Sequence, residues 1–430
     1  MNYVTIHPSQ LKGEVTIPPS KSLSHRAVIA SGLSKGTSII KNVMFSEDIS
    51  ATCACMESLG VIIEKKETSD NIYTLKVTGS NALQLLQNRI DCNESGSTLR
   101  FLVPICLIHH NNVTFTGRGK LVSRPLKEYY KIFDKQGVEY STTSGALPLK
   151  INGFLKADTF EIAGNVSSQF ITGLLFALPL LNGNSTINIT SALESKGYVD
   201  LTLDILDKFS IKVTNDNYNQ FHINGNQQYK SRDLTVEGDF SQAAFWLVAG
   251  IIGGEINCLG LNPSSLQGDK EVLDILKRMN GTANINSNSI HVATSKTKHT
   301  IIDGSQCPDI IPVLAVLASL SEGTTEIINA GRLRIKESDR LTAITTELTK
   351  LGADITEKDD GLIINGKSQL NGGKVNSWND HRIAMSLAIA SLRCKNDVII
   401  KDSSCINKSY PTFWQDFKKL GGKINEWSLG

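Results

Sequence analysis

Two kinds of segment alternate along this chain, and both recur with a period of roughly 70 residues. The first is an amphipathic helical pattern that ends in a turn and runs into a strand: MESLGVII, FDKQGVEY, LDKFSIKV, LKRMNGTANI, LTKLGADI and FKKLGGKI. Its turn residues are Gly60, Gly137, Ser210, Asn280, Gly352 and Gly421, spaced by 77, 73, 70, 72 and 69 residues. Glycine suits the left-handed position that follows a helix C-terminus. The second is a nearly apolar helix opened by a short polar residue, near Ser22, Ser97, Ser167, Ser241, Asp309 and Asp380, spaced by 75, 70, 74, 68 and 71 residues. A helix apolar almost all round must be buried. Six βαβαββ-like units follow, each burying one helix and exposing the other.

That period is too long for a short-repeat solenoid. It suits two domains of three units, with sheets outside and three buried helices inside each. The expected fold class is therefore α/β, a two-lobed inside-out α/β barrel with a cleft between the lobes. The polar stretch 224–233 and the pair Pro18-Pro19 are natural crossings. They give a first lobe of 21–227 and a second of 1–20 plus 228–430. If the buried helices of a lobe run parallel, their N-termini emerge on one face, and Ser22, Ser97, Ser167, Ser241, Asp309 and Asp380 cap them there. Free N–H groups and the helix dipole make such a face an anion site.

Cations are concentrated to match. Arg332 to Arg340 carries six charges in nine positions, four of them positive, in a chain that is 20% charged. Leu341, Ile344, Leu348 and Leu351 follow at helical spacing, with Ser338 as the expected N-cap. A net charge of only +2 over 430 residues excludes a general polyanion binder, so no nucleic-acid partner is expected. The eight cysteines show no metal spacing and read as free thiols of a reducing compartment. The N-terminal segment alternates like a strand and lacks the pattern of a signal peptide. The longest apolar stretches are too short to span a bilayer. A cytoplasmic monomer without membrane association, metal or cofactor is the expectation.

Nine motifs, in order along the chain, carry a specific resemblance. They are Pro-Pro-Ser-Lys21-Ser22-Leu-Ser-His-Arg26, Gly96-Ser-Thr-Leu-Arg100, Ser-Arg124-Pro, Ser167-Ser168-Gln169, Ser195-Lys-Gly-Tyr198, Pro-Asp309, Lys336-Glu337-Ser-Asp-Arg340, Asn-Asp-His381-Arg382 and Asn-Lys408-Ser-Tyr-Pro. Together they resemble the 3-phosphoshikimate 1-carboxyvinyltransferase (EPSP synthase) family of enolpyruvyl transferases. The resemblance implies two lobes of three βαβαββ units that close on shikimate 3-phosphate and phosphoenolpyruvate. Two positions depart from the commonest family pattern: Glu94, where many members carry Asn, and Arg332. A carboxylate at position 94 calls for a cation such as Arg100 beside it.

The resemblance also implies roles. Arg124, Arg340, Arg382 and Lys408 would hold phosphoenolpyruvate, with Gly96 allowing close backbone approach and Gln169 adding hydrogen bonds to both ligands. Ser167, Ser168 and Ser195 would take the shikimate phosphate. Ser22, Arg26, Tyr198, Asp309 and Lys336 would orient the ring, its hydroxyls and its carboxylate. Lys21 would lie between the ligands. Asp309 would accept the proton of the attacking hydroxyl, and Glu337 would donate one to the methylene carbon.

Other signals point elsewhere and are weaker. Gly361 to Ser368 satisfies the expression GxxxxGK[ST], but Leu362 to Ile364 read as a strand and no helix can follow Gln369-Leu-Asn-Gly-Gly. His109-His110 after an apolar helix reads as a turn, and His381 and His25 as orienting structure. The sister enolpyruvyl transferase acting on UDP-N-acetylglucosamine carries a reactive cysteine before its matching Arg-Pro; the segment from Thr116 to Arg124 has none. An RNA-terminal phosphate cyclase would need a nucleotide and a catalytic histidine. A non-enzymatic clamp module would spread its basic residues along a concave surface.

Overall fold

The computed structural model of the chain describes residues 2–80, 83–109 and 112–428; His110 lies outside them. The chain divides into two compact units, Pro19–Val236 and Met1–Pro18 with Glu237–Gly430. Each of six units contributes one apolar and one amphipathic helix. In chain order these are α1 (Lys21–Gly32) and α2 (Glu47–Ser58), α3 (Gly96–His109) and α4 (Lys127–Gln136), α5 (Ser168–Ala177) and α6 (Lys196–Lys208), α7 (Phe240–Gly253) and α8 (Val272–Arg278), α9 (Ile311–Ser319) and α10 (Arg340–Lys350), and α11 (His381–Ala390) and α12 (Phe413–Lys419). Burial separates the two classes. Every residue of α9 and of α11 is buried, whereas α4 buries only Glu128, Tyr129, Ile132 and Phe133. Spacing of three and four puts those four on one stripe.

The strands form six sheets of four, all with one pairing scheme. In each, one outer strand pairs parallel with its neighbour and the other two contacts are antiparallel, as in Thr159–Ile162 with Ser185–Ile189, then Gln220–Ile223, then Val213–Asp216. In four of the sheets the two parallel strands flank the buried helix of their unit, which supplies the crossover that a parallel pair needs. Three sheets take a strand from far away in sequence. Lys12–Thr16 pairs parallel with Glu255–Leu259. Asn2–His7 inserts between Val398–Lys401 and Lys423–Ser428. Leu234–Thr235 pairs parallel with Ile40–Lys41, which keeps the chain in the Pro19–Val236 unit to its last residues.

All six turn positions have positive φ: Gly60, Gly137, Ser210, Asn280, Gly352 and Gly421, between 66° and 98°. The helix openings differ from expectation at several positions. Ser20 and Asp239 cap α1 and α7, leaving Ser22 and Ser241 inside the first turn. Asp339, not Ser338, caps α10 by accepting from the Thr342 amide. Asp309 sits in a 3-10 turn, Pro308–Ile310, ahead of α9. At α7 and α10 several polar residues were available, and the one with extended backbone, Asp239 or Asp339, took the capping role. Ser167 and Asp380 do cap α5 and α11. Gly361–Asn365 is a strand, and the next element is another strand, Gly373–Asn376, so the phosphate-loop pattern there is accidental.

The turn positions provide a clean stability test. A Cβ at Gly137 would meet nothing within 4 Å, so Gly137→Ala probes backbone strain alone. It should destabilise the protein by about 1 kcal/mol, and Ser210→Gly should stabilise it by a similar amount, because a left-handed non-glycine costs ~1–2 kcal/mol. Urea unfolding midpoints of the two variants should move in opposite directions.

Candidate active site

In the Pro19–Val236 unit the N-terminal ends of α1, α3, α5 and α6 carry the first group of candidate residues. With Ser20 capping α1, Lys21 falls in the first turn and its ammonium pairs at 2.7 Å with Asp48, itself in the first turn of α2. Arg26 is only 3% exposed. Its guanidinium donates to the carbonyls of Ser22 (2.7 Å) and Tyr198 (2.8 Å) and to the Thr202 hydroxyl (2.9 Å), joining α1 to the start of α6. Burial pushes its pKa down to about 10, against the opposing effect of Tyr198. Beside it, His25 contacts Thr52 at 2.7 Å, and the hydroxyls run on through Thr98 to Ser95. Burial, then Lys21 and Arg26, hold this imidazole well below its ordinary pKa, so it stays neutral.

Arg124 follows the 3-10 turn Gly119–Ser123 and lies flat against Gly96. A methyl group at Gly96 would stand 2.6 Å from Arg124 Nη1, so only glycine admits the guanidinium there. Arg100, also buried, donates to Gln169 Oε1 (2.6 Å) and the Pro125 carbonyl (2.9 Å). The Gln169 amide continues to Ser97 Oγ (2.9 Å), bridging the openings of α3 and α5. The Ser167 hydroxyl accepts from the Gln169 amide N–H, and Ser168 begins α5. Ser195, buried and left-handed at φ 56°, introduces α6. The Glu94 carboxylate lies against the backbone at Gly119, 2.6–2.7 Å from where a Cβ would be.

In the other unit a second cluster is built around Arg340 at the start of α10. This side chain is 1% exposed and meets three carboxylates: Asp309 Oδ1 at 2.9 Å, Glu337 Oε2 at 2.7 Å and Asp380 Oδ2 at 2.8 Å. Asp380 is fully buried, also accepts from the Ser338 hydroxyl (3.0 Å) and caps α11 through the Arg382 amide (2.9 Å). Asp309 in turn faces Lys336 at 3.1 Å and Arg382 at 3.3 Å. Arg382 donates to both the hydroxyl (2.8 Å) and the carbonyl (3.1 Å) of Ser241 on α7. Lys408 donates to the Asn379 carbonyl at 2.9 Å.

Six charged groups in one cluster set each other's ionisation. Burial alone would raise the Asp309 pKa, but Lys336, Arg382 and Arg340 outweigh it and hold the carboxylate well below its usual range. Burial lowers the Lys336 pKa, opposed by Asp309 and reinforced by Arg340 and Arg332. Burial likewise works against the Arg340 cation, but Asp380, Glu337 and Asp309 more than restore it. The cluster is therefore a set of charged cations held by carboxylates, ready to exchange partners with an anion.

Within the Pro19–Val236 unit, hydrogen bonds tie Ser22, Arg26 and Tyr198 into one group and Gln169, Ser167 and Ser97 into another, and the Arg124 guanidinium packs against Gly96. In the other unit, Asp309, Lys336, Glu337, Arg340 and Arg382 form one connected cluster. Asp48, Ser241 and Asp380 are the partners that sequence reasoning left out of the site. Ser241 and Asp380 had a signal, as openings of apolar helices; Asp48 had none. Among the described residues no group of three His, Cys, Asp or Glu could hold a metal ion, and no helix is long and apolar enough to cross a membrane.

Comparison with known proteins bears on this geometry. Residues 6–417 match the family model for EPSP synthase (3-phosphoshikimate 1-carboxyvinyltransferase). The chain is 57% identical over 435 residues to a 3-phosphoshikimate 1-carboxyvinyltransferase of Clostridium novyi, and 56% identical over 441 residues to one of Clostridioides difficile; both alignments cover 100% of each chain. A solved EPSP synthase structure from Acinetobacter baumannii superposes with a TM-score of 0.83 at 26% identity, again over 100% of both chains. The two-lobed fold of six like-paired sheets and the match along nearly the whole length lead to one assignment: the chain belongs to the EPSP synthase family.

Proposed function

We infer that the chain transfers the enolpyruvyl group of phosphoenolpyruvate to the 5-hydroxyl of shikimate 3-phosphate, releasing phosphate. The observation that carries this reading is the set of cations in both units at the positions of the family motifs. Lys21 and Arg26 lie in the first two turns of α1 and Arg382 in the first turn of α11, while Arg124, Lys336 and Lys408 lie on 3-10 turns or directly after them and Arg340 starts α10. The two substrates bring two phosphates and two carboxylates together. Like charges 4 Å apart repel by about 4 kcal/mol at an effective dielectric of 20, so fixed countercharges are required. Lys21, Arg26, Arg124, Lys336, Arg340, Arg382 and Lys408 supply seven. Arg124, Arg340, Arg382 and Lys408 are assigned to phosphoenolpyruvate, with Gly96 and Gln169. Ser22, Arg26, Ser167, Ser168, Gln169, Ser195, Tyr198 and Lys336 are assigned to shikimate 3-phosphate, and Lys21 to both. One chain carries every residue in this assignment, so a monomer is the proposed working unit. Eight free, buried thiols fit a reducing cytoplasm.

The chemistry is addition followed by elimination. Asp309 takes the proton of the 5-hydroxyl as its oxygen bonds to the central carbon of phosphoenolpyruvate, and Glu337 gives a proton to the methylene carbon, making a methyl group. Elimination returns a proton from that methyl to Glu337 and expels phosphate. The cation cage around Asp309 keeps it ionised and able to accept. Glu337 is bonded to Arg340, which favours its anion. It becomes an acid when a substrate anion takes over the Arg340 guanidinium, so the acid exists only in the ternary complex. A transferase using a reactive cysteine fits less well. Burial pushes seven of the eight thiols upward in pKa, the opposite of an activated nucleophile.

Phosphate release measured with both substrates, and with each omitted, tests the reading. Release should require both; release independent of shikimate 3-phosphate would exclude the assignment. Glu337→Gln should lower kcat by about 10²-fold or more with intact folding, as expected for loss of a general acid. Near-normal turnover would remove Glu337 from that role. Asp309 also makes a pH prediction. Its folded pKa lies below the unfolded value of about 3.9, so its stabilising contribution is complete above that pH and is lost as pH falls below about 4. Urea midpoints should drop steeply in that acidic window for the parent protein and more gently for Asp309→Asn. Equal slopes would contradict the cation cage.

A further inference from the structure

Two consecutive residues just before Asp380 adopt the left-handed conformation, Trp378 at φ 55° and Asn379 at φ 53°. Asparagine tolerates that region; a bulky tryptophan there is a conformational outlier that needs external support. Core packing does not provide it, because Trp378 is 37% exposed. The support is polar. The indole Nε1 donates at 2.8 Å to Oε1 of Glu347, a side chain of α10 that is itself 1% exposed, and the Asn376 amide donates at 3.0 Å to the other oxygen. Lys350 completes the coordination of this carboxylate at 2.8 and 2.9 Å.

Every backbone N–H in the turn has a defined acceptor. The Trp378 amide donates to Asn376 Oδ1 (2.8 Å), the Asn379 amide to Ser377 Oγ (3.2 Å) and the Asp380 amide to the Ser377 carbonyl (2.9 Å). Ser377 Oγ in turn donates to the Asp402 carbonyl at 3.1 Å. The turn has two outputs. It directs the Asn379 carbonyl at the Lys408 ammonium, 2.9 Å away, and it delivers Asp380, which caps Arg382 and holds Arg340.

We propose that Trp378 and Glu347 are positioning residues: the buried Glu347 carboxylate locks the strained Trp378-Asn379 turn and thereby sets Lys408 and Arg382 for phosphoenolpyruvate. The inference rests on the reading that those two cations bind that substrate. Neither Trp378 nor Glu347 touches the cluster of reacting side chains, so their effect is transmitted through the turn. Strain of this kind persists where the surroundings over-determine it, and here a carboxylate held by three donor groups does so.

The test is steady-state kinetics on Trp378→Phe, which removes only the indole N–H, and on Glu347→Gln, with Lys408→Ala as the reference. Both positioning variants should raise KM for phosphoenolpyruvate three- to tenfold while KM for shikimate 3-phosphate and kcat stay within twofold. Should Glu347→Gln fold poorly, Trp378→Phe decides alone. An unchanged phosphoenolpyruvate KM, with Lys408→Ala raising it, overturns the proposal. So does a parallel change in both KM values and the thermal midpoint, which would mark a purely structural role. If Lys408→Ala itself leaves phosphoenolpyruvate binding unchanged, the reading of the site fails and the proposal falls with it.

Discussion

The guanidinium of Arg340 is the interaction around which the charged cluster of its unit is organised. A planar cation with five donors, almost fully removed from water, can be tolerated only if carboxylates meet it. Asp309, Glu337 and Asp380 do so from three different elements: the turn before α9, the loop before α10, and the start of α11. One fork therefore registers the openings of three helices against each other. Removing any of the three carboxylates leaves buried positive charge uncompensated, which is why stability and chemistry are hard to separate in this cluster.

In the proposed reaction the same pairs are the ones to be exchanged: Arg382 donates to Ser241 and Lys408 to the Asn379 carbonyl, and the substrate anions are proposed to compete with those partners. A carboxylate released from Arg340 becomes more basic and can carry a proton. Asp309, facing three cations, stays ionised. The proposed mechanism gives these two carboxylates opposite roles because their cationic surroundings differ, a division of labour set by environment and not by residue type.

Much of the architecture could be read from residue order. The period of about 70 residues, the apolar and amphipathic helix classes, and the left-handed turns at Gly60 through Gly421 all carried local signals: composition, spacing and a φ that favours glycine. Cap identity was less legible. Ser22 and Ser241 lost to Ser20 and Asp239 because capping depends on which polar residue has extended backbone, and that is decided by the packed chain rather than by composition. The site cations were visible as motifs, but their partners were not. Asp48 is one acidic residue in a helical first turn, and nothing local distinguishes it from its neighbour Glu47 until the fold brings Lys21 to it. The Trp378-Asn379 turn was equally hidden, since no sequence pattern predicts tryptophan in a left-handed conformation.

The exchange at Arg340 can be measured directly. When phosphoenolpyruvate meets the complex with shikimate 3-phosphate, proton uptake can be followed with a pH indicator in weakly buffered stopped flow, before the first turnover ends. The account predicts that the parent protein takes up a larger fraction of a proton than Glu337→Gln, because only the carboxylate freed from the guanidinium can acquire one. Identical proton uptake by the two proteins would contradict it.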